Sequence, residues 1–211
     1  MNRQDGLDAL LAVSPVIPVL TIDNAADAVP LARALIEGGV GVVEVTLRTK
    51  AAMEAIAAMA EAVPEMVVGA GTVLTPSQYR EIEEAGAKFV VSPGSSPAVH
   101  AAAAKSRVPF LPGAATPTEV LHLLEAGFRY QKFFPAEQAG GIPMLKAIGA
   151  PIHEVTFCPT GGITPTTAPD YLALANVICV GGSWLTPAAA LRAGDWAGIA
   201  KLAAQAAALK R

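Results

Sequence analysis

EGGVGVVEV, residues 37–45, closes a helical stretch on glycine and enters a β-branched run within a few positions. The same junction returns as EAGAKFVVS from Glu84 and EAGFRYQKF from Glu125. Glycine just past a last helical turn is a C-cap signal, since it adopts the left-handed conformation without steric cost. Helix, glycine, apolar strand, repeated along a chain, is the pattern of a parallel sheet whose strands are joined by helices. Outward from these junctions, eight candidate strands can be placed: Pro15 to Leu20, Val42 to Thr46, Met66 to Gly71, Lys88 to Ser92, Val108 to Pro112, Arg129 to Phe134, Glu154 to Cys158 and Val177 to Gly182.

Spread over 211 residues, eight units take about 26 residues each, enough for a small (β/α)8 TIM barrel; a doubly wound sheet more often has about five or six strands. The expected fold is therefore α/β, a (β/α)8 TIM barrel forming a single domain over residues 1–211. Extra helices are expected at the ends, about Arg3 to Ala12 and Asp195 to Leu209.

Composition narrows the function. With 53% hydrophobic residues, 16% charged residues and a net charge of −3, the chain has neither the polarity of a disordered segment nor the basic excess of a nucleic-acid or anionic-membrane binder. Its apolar runs are broken by Gly, Pro or charge before the roughly 18–20 residues that cross a bilayer, so a soluble protein is expected. MNRQDGLDALLAVSP carries acids and lacks the apolar core of a signal peptide, which predicts a cytoplasmic location. Cys158 and Cys179 lie inside apolar runs and are expected to be buried, reduced thiols. An Ala-rich, charge-poor surface suggests apolar area covered by a partner subunit.

The unusual residues follow the strands: GAGT (69–72), SPG (92–94), FFPAE (133–137), PTGG (159–162) and GGS (181–183). Ligand loops of parallel α/β folds gather at that end. In VVEVTLR, the period of two places Glu44, Thr46 and Arg48 on one face, although a buried parallel strand should be almost wholly apolar. That face is either a site wall or a structural Glu/Arg pair, because buried charges are normally paired. In RYQKFF, Tyr130, Lys132 and Phe134 share a face. Lys132 is either a nucleophilic amine or a strand-end lysine reaching out to solvent. Aromatic walls and a cation such as Arg48 would favour its free amine, and Glu44 would oppose them.

Glycine loops after strands seven and eight, with the Ser183 hydroxyl, fit the phosphate cradle of such barrels. Neither loop is a P-loop, and GAGT lacks the spacing of a dinucleotide fingerprint. His100, His122 and His153 do not cluster at strand ends and the cysteines lack zinc spacing, so no metal is expected; a magnesium ion on Glu44 and Glu137 is the alternative.

Together EVTLRT (44–49), VGAGTVL (68–74), SPG, KFFPAE (132–137), CPTGGI (158–163) and GGSWL (181–185) closely resemble the bacterial 2-keto-3-deoxy-6-phosphogluconate aldolases, which also carry 4-hydroxy-2-oxoglutarate aldolase activity. The related phosphogalactonate aldolases look different after strands two, six and eight. The resemblance implies a cofactor-independent lyase of the Entner–Doudoroff pathway. It would cleave 2-dehydro-3-deoxy-6-phosphogluconate to pyruvate and glyceraldehyde 3-phosphate, and 4-hydroxy-2-oxoglutarate to pyruvate and glyoxylate. It implies Lys132 as the Schiff-base residue and Glu44 as the general acid/base. Arg48 and Thr72 would hold the pyruvyl carboxylate, Phe134 and Pro93 would line the site, and Thr160 would meet the hydroxylated carbons. Gly161, Gly162 and Ser183 would bind phosphate, and the family is described as a homotrimer. From the residues alone, two rivals stand: a phosphosugar isomerase or epimerase using Glu44 as base, and a non-catalytic anion-binding barrel with Lys132 as countercharge.

Overall fold

Val42–Thr46 forms a strand buried along its whole length, and the reason is its alternation. Val43 and Val45 join the large cluster between sheet and helices, while Val42 joins a second, inner cluster. This strand, β2, lies inside a six-stranded parallel sheet of a computed structural model that describes residues 4–210. Its neighbours are β1 (Val16–Leu20) and β3 (Val67–Gly71), followed by β4 (Phe89–Val91) and β5 (Phe110–Leu111) on one side and β9 (Val180–Gly182) on the other. A three-stranded parallel sheet holds β6 (Gly113–Ala114), β7 (Tyr130–Phe133) and β8 (Thr156–Pro159). The architecture is thus parallel α/β, with ten α-helices among the described residues, none of them long and apolar enough to cross a membrane.

Eight strands are predicted and nine segments are observed, because Pro112 divides the fifth. Phe110 and Leu111 pair with β4, whereas Gly113 and Ala114 pair with β7. Pro112 has no N–H to give either ladder, although its carbonyl accepts from Lys132 N at 2.8 Å. The other interruption is similar. Between β8 and the segment entering β9 there are only isolated bridges, Phe157 with Val177 and Thr160 with Gly181, and Pro159 lies between them.

The three glycine junctions fold as read. α2 (Ala28–Glu37), α4 (Pro76–Glu84) and α6 (Pro117–Glu125) end before Gly39, Gly86 and Gly127, whose φ values are 83°, 90° and 89°. In each, the next residue's N–H reaches back to close the end: Val40 to Leu35 O, Ala87 to Ile82 O and Phe128 to Leu123 O. α4 and α6 start equally sharply, with capping boxes of Thr75 with Gln78 and Thr116 with Glu119 and a proline in the first turn.

The inner cluster, Leu7, Leu11, Ile17, Val42, Phe89, Val91, Leu111, Cys158 and Cys179, forms an apolar floor beneath the polar strand ends. Leu7 and Leu11 come from α1 (Leu7–Leu11), and burying each contributes roughly 1.5–3 kcal/mol. Just before α1, Gln4 Nε2 donates to Phe110 O (2.9 Å) and Tyr130 O (2.7 Å), and Tyr130 N donates back to Gln4 Oε1 (2.9 Å). One side chain so bridges the two sheets where Pro112 parts them. The predicted N-terminal helix is shorter than Arg3 to Ala12, and Arg3 lies outside the described residues. The last helix, α10 (Trp196–Ala207), packs on α2 so closely that a Cβ at Gly38 would collide with Ala203. Both cysteines are buried thiols outside any disulfide.

Candidate active site

At the C-terminal end of β2 and β7 the polar residues of two strands meet. Lys132 Nζ donates to both oxygens of Glu44, at 3.0 and 3.2 Å, and each residue is only 4% exposed. Lys132 therefore does not reach for solvent, and Glu44 pairs with Lys132 rather than with Arg48. The Phe134 ring lies 5.4 Å from Nζ, giving the ammonium form an aromatic wall. Cys158 is the register partner of Lys132 on the adjoining strand, and Thr160 follows one step toward the rim.

Arg48 lies just beyond the regular strand. β2 ends at Thr46, and Arg48 N turns back onto Thr46 O, so the alternation of faces stops there. The exposed Arg48 guanidinium instead donates from Nε to Thr72 Oγ1 at 3.3 Å. Thr72 has φ 60°, a conformation that costs a β-branched residue roughly 1–3 kcal/mol and is met mainly where a site fixes it. Arg48 and Thr72 thus form one donor pair beside the buried Lys132–Glu44 pair. Pro93 lies in the loop after β4, its carbonyl packed so closely on Gly113 that a Cβ there would collide.

Two glycines of GAGT have a packing role that the sequence reading did not assign: Gly71 makes room for Glu44, and Gly69 for a neighbouring ring. A Cβ on Gly71 would run into the Glu44 carboxylate, and one on Gly69 into the Phe89 ring. Their signal was present, since Gly69 and Gly71 of VGAGT share one face of β3.

Thr160 is 6% exposed, and a Cβ at Gly181 would collide with its hydroxyl, so the ends of β8 and β9 are in contact. Beyond it Gly161 and Gly162 both have positive φ, 109° and 77°. The carbonyls of Thr160 and Gly161 accept from Ala136 N (2.8 Å) and Glu137 N (3.1 Å), turning the oxygens toward the β7 turn. Among the described residues, the N–H groups of Gly161 and Gly162 and the Ser183 hydroxyl have no protein partner. Three donors with no acceptor at an exposed loop pair suit an anion with several oxygens. A cavity of about 220 Å³ opens beside Ser183, with Val19, Thr21 and Arg192 in its wall.

The carboxylates considered for magnesium are engaged separately: Glu44 by Lys132, and Glu137 by the Tyr171 hydroxyl at 2.7 Å. Among the described residues no three His, Cys, Asp or Glu side chains group as a metal site.

Residues 7–202 match the model of the KDPG and KHG aldolase family. A KHG/KDPG aldolase of Escherichia coli K12 is 49% identical over 205 residues, 97% of this chain and 96% of the relative. A 2-dehydro-3-deoxy-phosphogluconate aldolase of Pseudoalteromonas atlantica is 50% identical over 192 residues, 91% and 89%. Among solved structures, the Legionella pneumophila KDPG aldolase with pyruvate captured as a covalent carbinolamine superposes with a TM-score of 0.93 at 46% identity, covering 95% of this chain and 98% of that one. The Zymomonas mobilis KDPG aldolase with 3-phosphoglycerate gives 0.93 at 47% identity, covering 99% and 98%. A family model spanning nearly the whole sequence, and relatives near half identity over almost their full length, lead to one conclusion: the chain belongs to the KDPG and KHG aldolase family.

Proposed function

We propose that this chain is a class I aldolase that cleaves 2-dehydro-3-deoxy-6-phosphogluconate to pyruvate and glyceraldehyde 3-phosphate, and 4-hydroxy-2-oxoglutarate to pyruvate and glyoxylate. One observation carries the proposal: a buried lysine amine hydrogen-bonded to both oxygens of one carboxylate at the strand ends. The Lys132 proton passes across that bond to Glu44, and the freed amine adds to the C2 ketone, giving a carbinolamine. Glu44 returns the proton to the carbinolamine hydroxyl, water leaves, and a protonated imine remains. Glu44 then takes the proton of the C4 hydroxyl. The C3–C4 bond breaks, its electron pair flows into the imine as an enamine, and the aldehyde departs. Protonation of the enamine at C3 and hydrolysis release pyruvate and restore Lys132.

In this proposal Arg48 and Thr72 hold the pyruvyl carboxylate, while Phe134 and Pro93 line the pyruvyl pocket. Thr160 meets the C4 side, and Gly161, Gly162 and Ser183 take the phosphate. A carbinolamine with pyruvate in the Legionella relative supports the covalent route over an isomerase that uses Glu44 alone. We read the two sheets as one closed (β/α)8 barrel in a single domain, supported by the bridges at Phe157 and Thr160 and by prolines at both interruptions. A cytoplasmic homotrimer completes the proposal; Leu74, 54% exposed just past Thr72, is the kind of apolar side chain that subunit packing covers. Light scattering should then give three times the 21.5 kDa chain mass.

Borohydride reduction in the presence of pyruvate tests the mechanism. The expected result is a stable gain of about 72 Da on Lys132, pyruvate less one water plus two hydrogens. Absence of an adduct, or full turnover by Lys132→Ala, would overturn it.

A further inference from the structure

Glu137 sets an acid against the glycine loop that is to receive a phosphate. Its N–H holds Gly161 O at 3.1 Å, and its side-chain stem lies so close to Gly162 that a Cβ there would come within 2.8 Å of Glu137 Cβ and Cγ. An exposed carboxylate on that stem would repel a dianion if it swung across the loop. It is held away. The Tyr171 hydroxyl donates to Glu137 Oε1 at 2.7 Å, and both groups lie over Gly141, the first residue of α7 (Gly141–Gly149). Tyr171 itself, on α8 (Ala168–Leu172), is 1% exposed and so rigidly placed. The dipole at the start of α7 also favours a negative charge there.

We infer that Glu137 and Tyr171 are positioning residues for phosphate recognition. Their hydrogen bond keeps the carboxylate over the first turn of α7, so that Gly161 and Gly162 present N–H groups to a phosphate dianion unopposed. The inference rests on the aldolase proposal and deepens it, assigning the preference for phosphorylated substrates to two residues that touch no substrate.

The test compares Glu137→Asp, Glu137→Gln and Tyr171→Phe on phosphorylated and unphosphorylated substrates. Aspartate keeps the charge but is one methylene too short for Tyr171, and phenylalanine removes the donor. Each should raise KM for 2-dehydro-3-deoxy-6-phosphogluconate roughly tenfold, while KM for 4-hydroxy-2-oxoglutarate and borohydride labelling with pyruvate stay within about twofold. Glutamine removes the charge to be steered, so Glu137→Gln, and the double variant with Tyr171→Phe, should keep KM near the parent value. An equal loss on both substrates, no change in Glu137→Asp, or a double variant as impaired as Tyr171→Phe would overturn the inference. Because Glu137 is exposed, its variants read the effect even if Tyr171→Phe folds poorly. Failure of borohydride labelling in the parent protein would instead count against the aldolase proposal itself.

Discussion

Replacing Gly71 by alanine is the sharpest probe of the proposed acid/base geometry, because it adds one methyl group against the Glu44 carboxylate and replaces no side chain that the mechanism uses. A Cβ there would stand 2.6 Å from Glu44 Cγ and 2.7 Å from its Cδ. Ordinary carbon contacts begin near about 3.5 Å, so the carboxylate must retreat by about 1 Å. Retreat stretches the 3.0 Å Lys132–Glu44 bond to about 4 Å, beyond hydrogen-bond range. A displacement of that size in a catalytic group costs on the order of 100-fold in rate, and the overpacking costs roughly 1–3 kcal/mol of stability.

Gly69→Ala separates the two effects. It lies on the same face of the same strand, and its Cβ would meet the buried Phe89 ring instead of Glu44. Both variants should therefore unfold at lower temperature, while only Gly71→Ala loses about 100-fold in kcat, measured by coupling pyruvate release to NADH oxidation. If Gly71→Ala turned over within about threefold of the parent, or Gly69→Ala lost as much rate, the placement of Glu44 against Lys132 would not be what limits catalysis.

Glu44→Gln should lower kcat by about 10²–10⁴, the range for a lost general acid/base. It should also cost about 3 kcal/mol for a buried cation stripped of its partner, seen as a melting point lower by about 6–12 °C. Ser183→Ala should raise KM about tenfold for the phosphorylated substrate and leave the unphosphorylated one within about twofold; equal effects on both would remove Ser183 from the phosphate site. Stability should fall at both extremes of pH. The carboxyl of Glu119 is held below its ordinary range by the Ala115 N–H, with Thr116 adding to this, so its cap contribution is present above the free carboxylate value and lost as acid is added. Glu119→Gln should thus cost about 0.5–1 kcal/mol at neutral pH and nothing near pH ~2–3 in denaturant titrations. Burial, and then Glu83, push the Tyr79 hydroxyl upward, so stability present below about pH 10 should be lost above it. Tyr79→Phe should flatten that alkaline limb.

Much of this arrangement was legible in the chain because local rules act locally. Val42 to Thr46 is placed as read, since a β-branched run after a helix-ending glycine has few alternatives. The glycines at 39, 86 and 127 take positive φ as their junctions require. What the chain hid depends on residues distant in sequence. The partner of Glu44 lies 88 positions away, on a strand of the other sheet. The reading along β2 left Arg48 open as a structural partner of Glu44, but alternation holds only while the chain stays extended, and past Thr46 it turns. Pro112 misled in the opposite sense. A strand ending on proline looks finished, yet β6 begins at the next residue and pairs Gly113 with Lys132.

The same two prolines that interrupt the ladders also bear on where the chemistry sits. Pro112 and Pro159 each remove an N–H from a strand that borders β7 or β9 near the polar rim. In exchange, the carbonyl of Pro112 fixes the backbone of Lys132, and the residue after Pro159 is the buried Thr160 that meets Gly181. A ladder bond lost at each proline is a modest sacrifice, about 1 kcal/mol. Proline's fixed φ stiffens the chain beside both residues in return, and positional precision is what a Schiff-base lysine and a substrate-facing threonine require. Replacing Pro112 by alanine restores a donor and loosens that constraint. The expected signature is preserved or slightly raised stability with kcat lowered several-fold, and a variant equal to the parent in rate would show that the break in the sheet serves the fold alone.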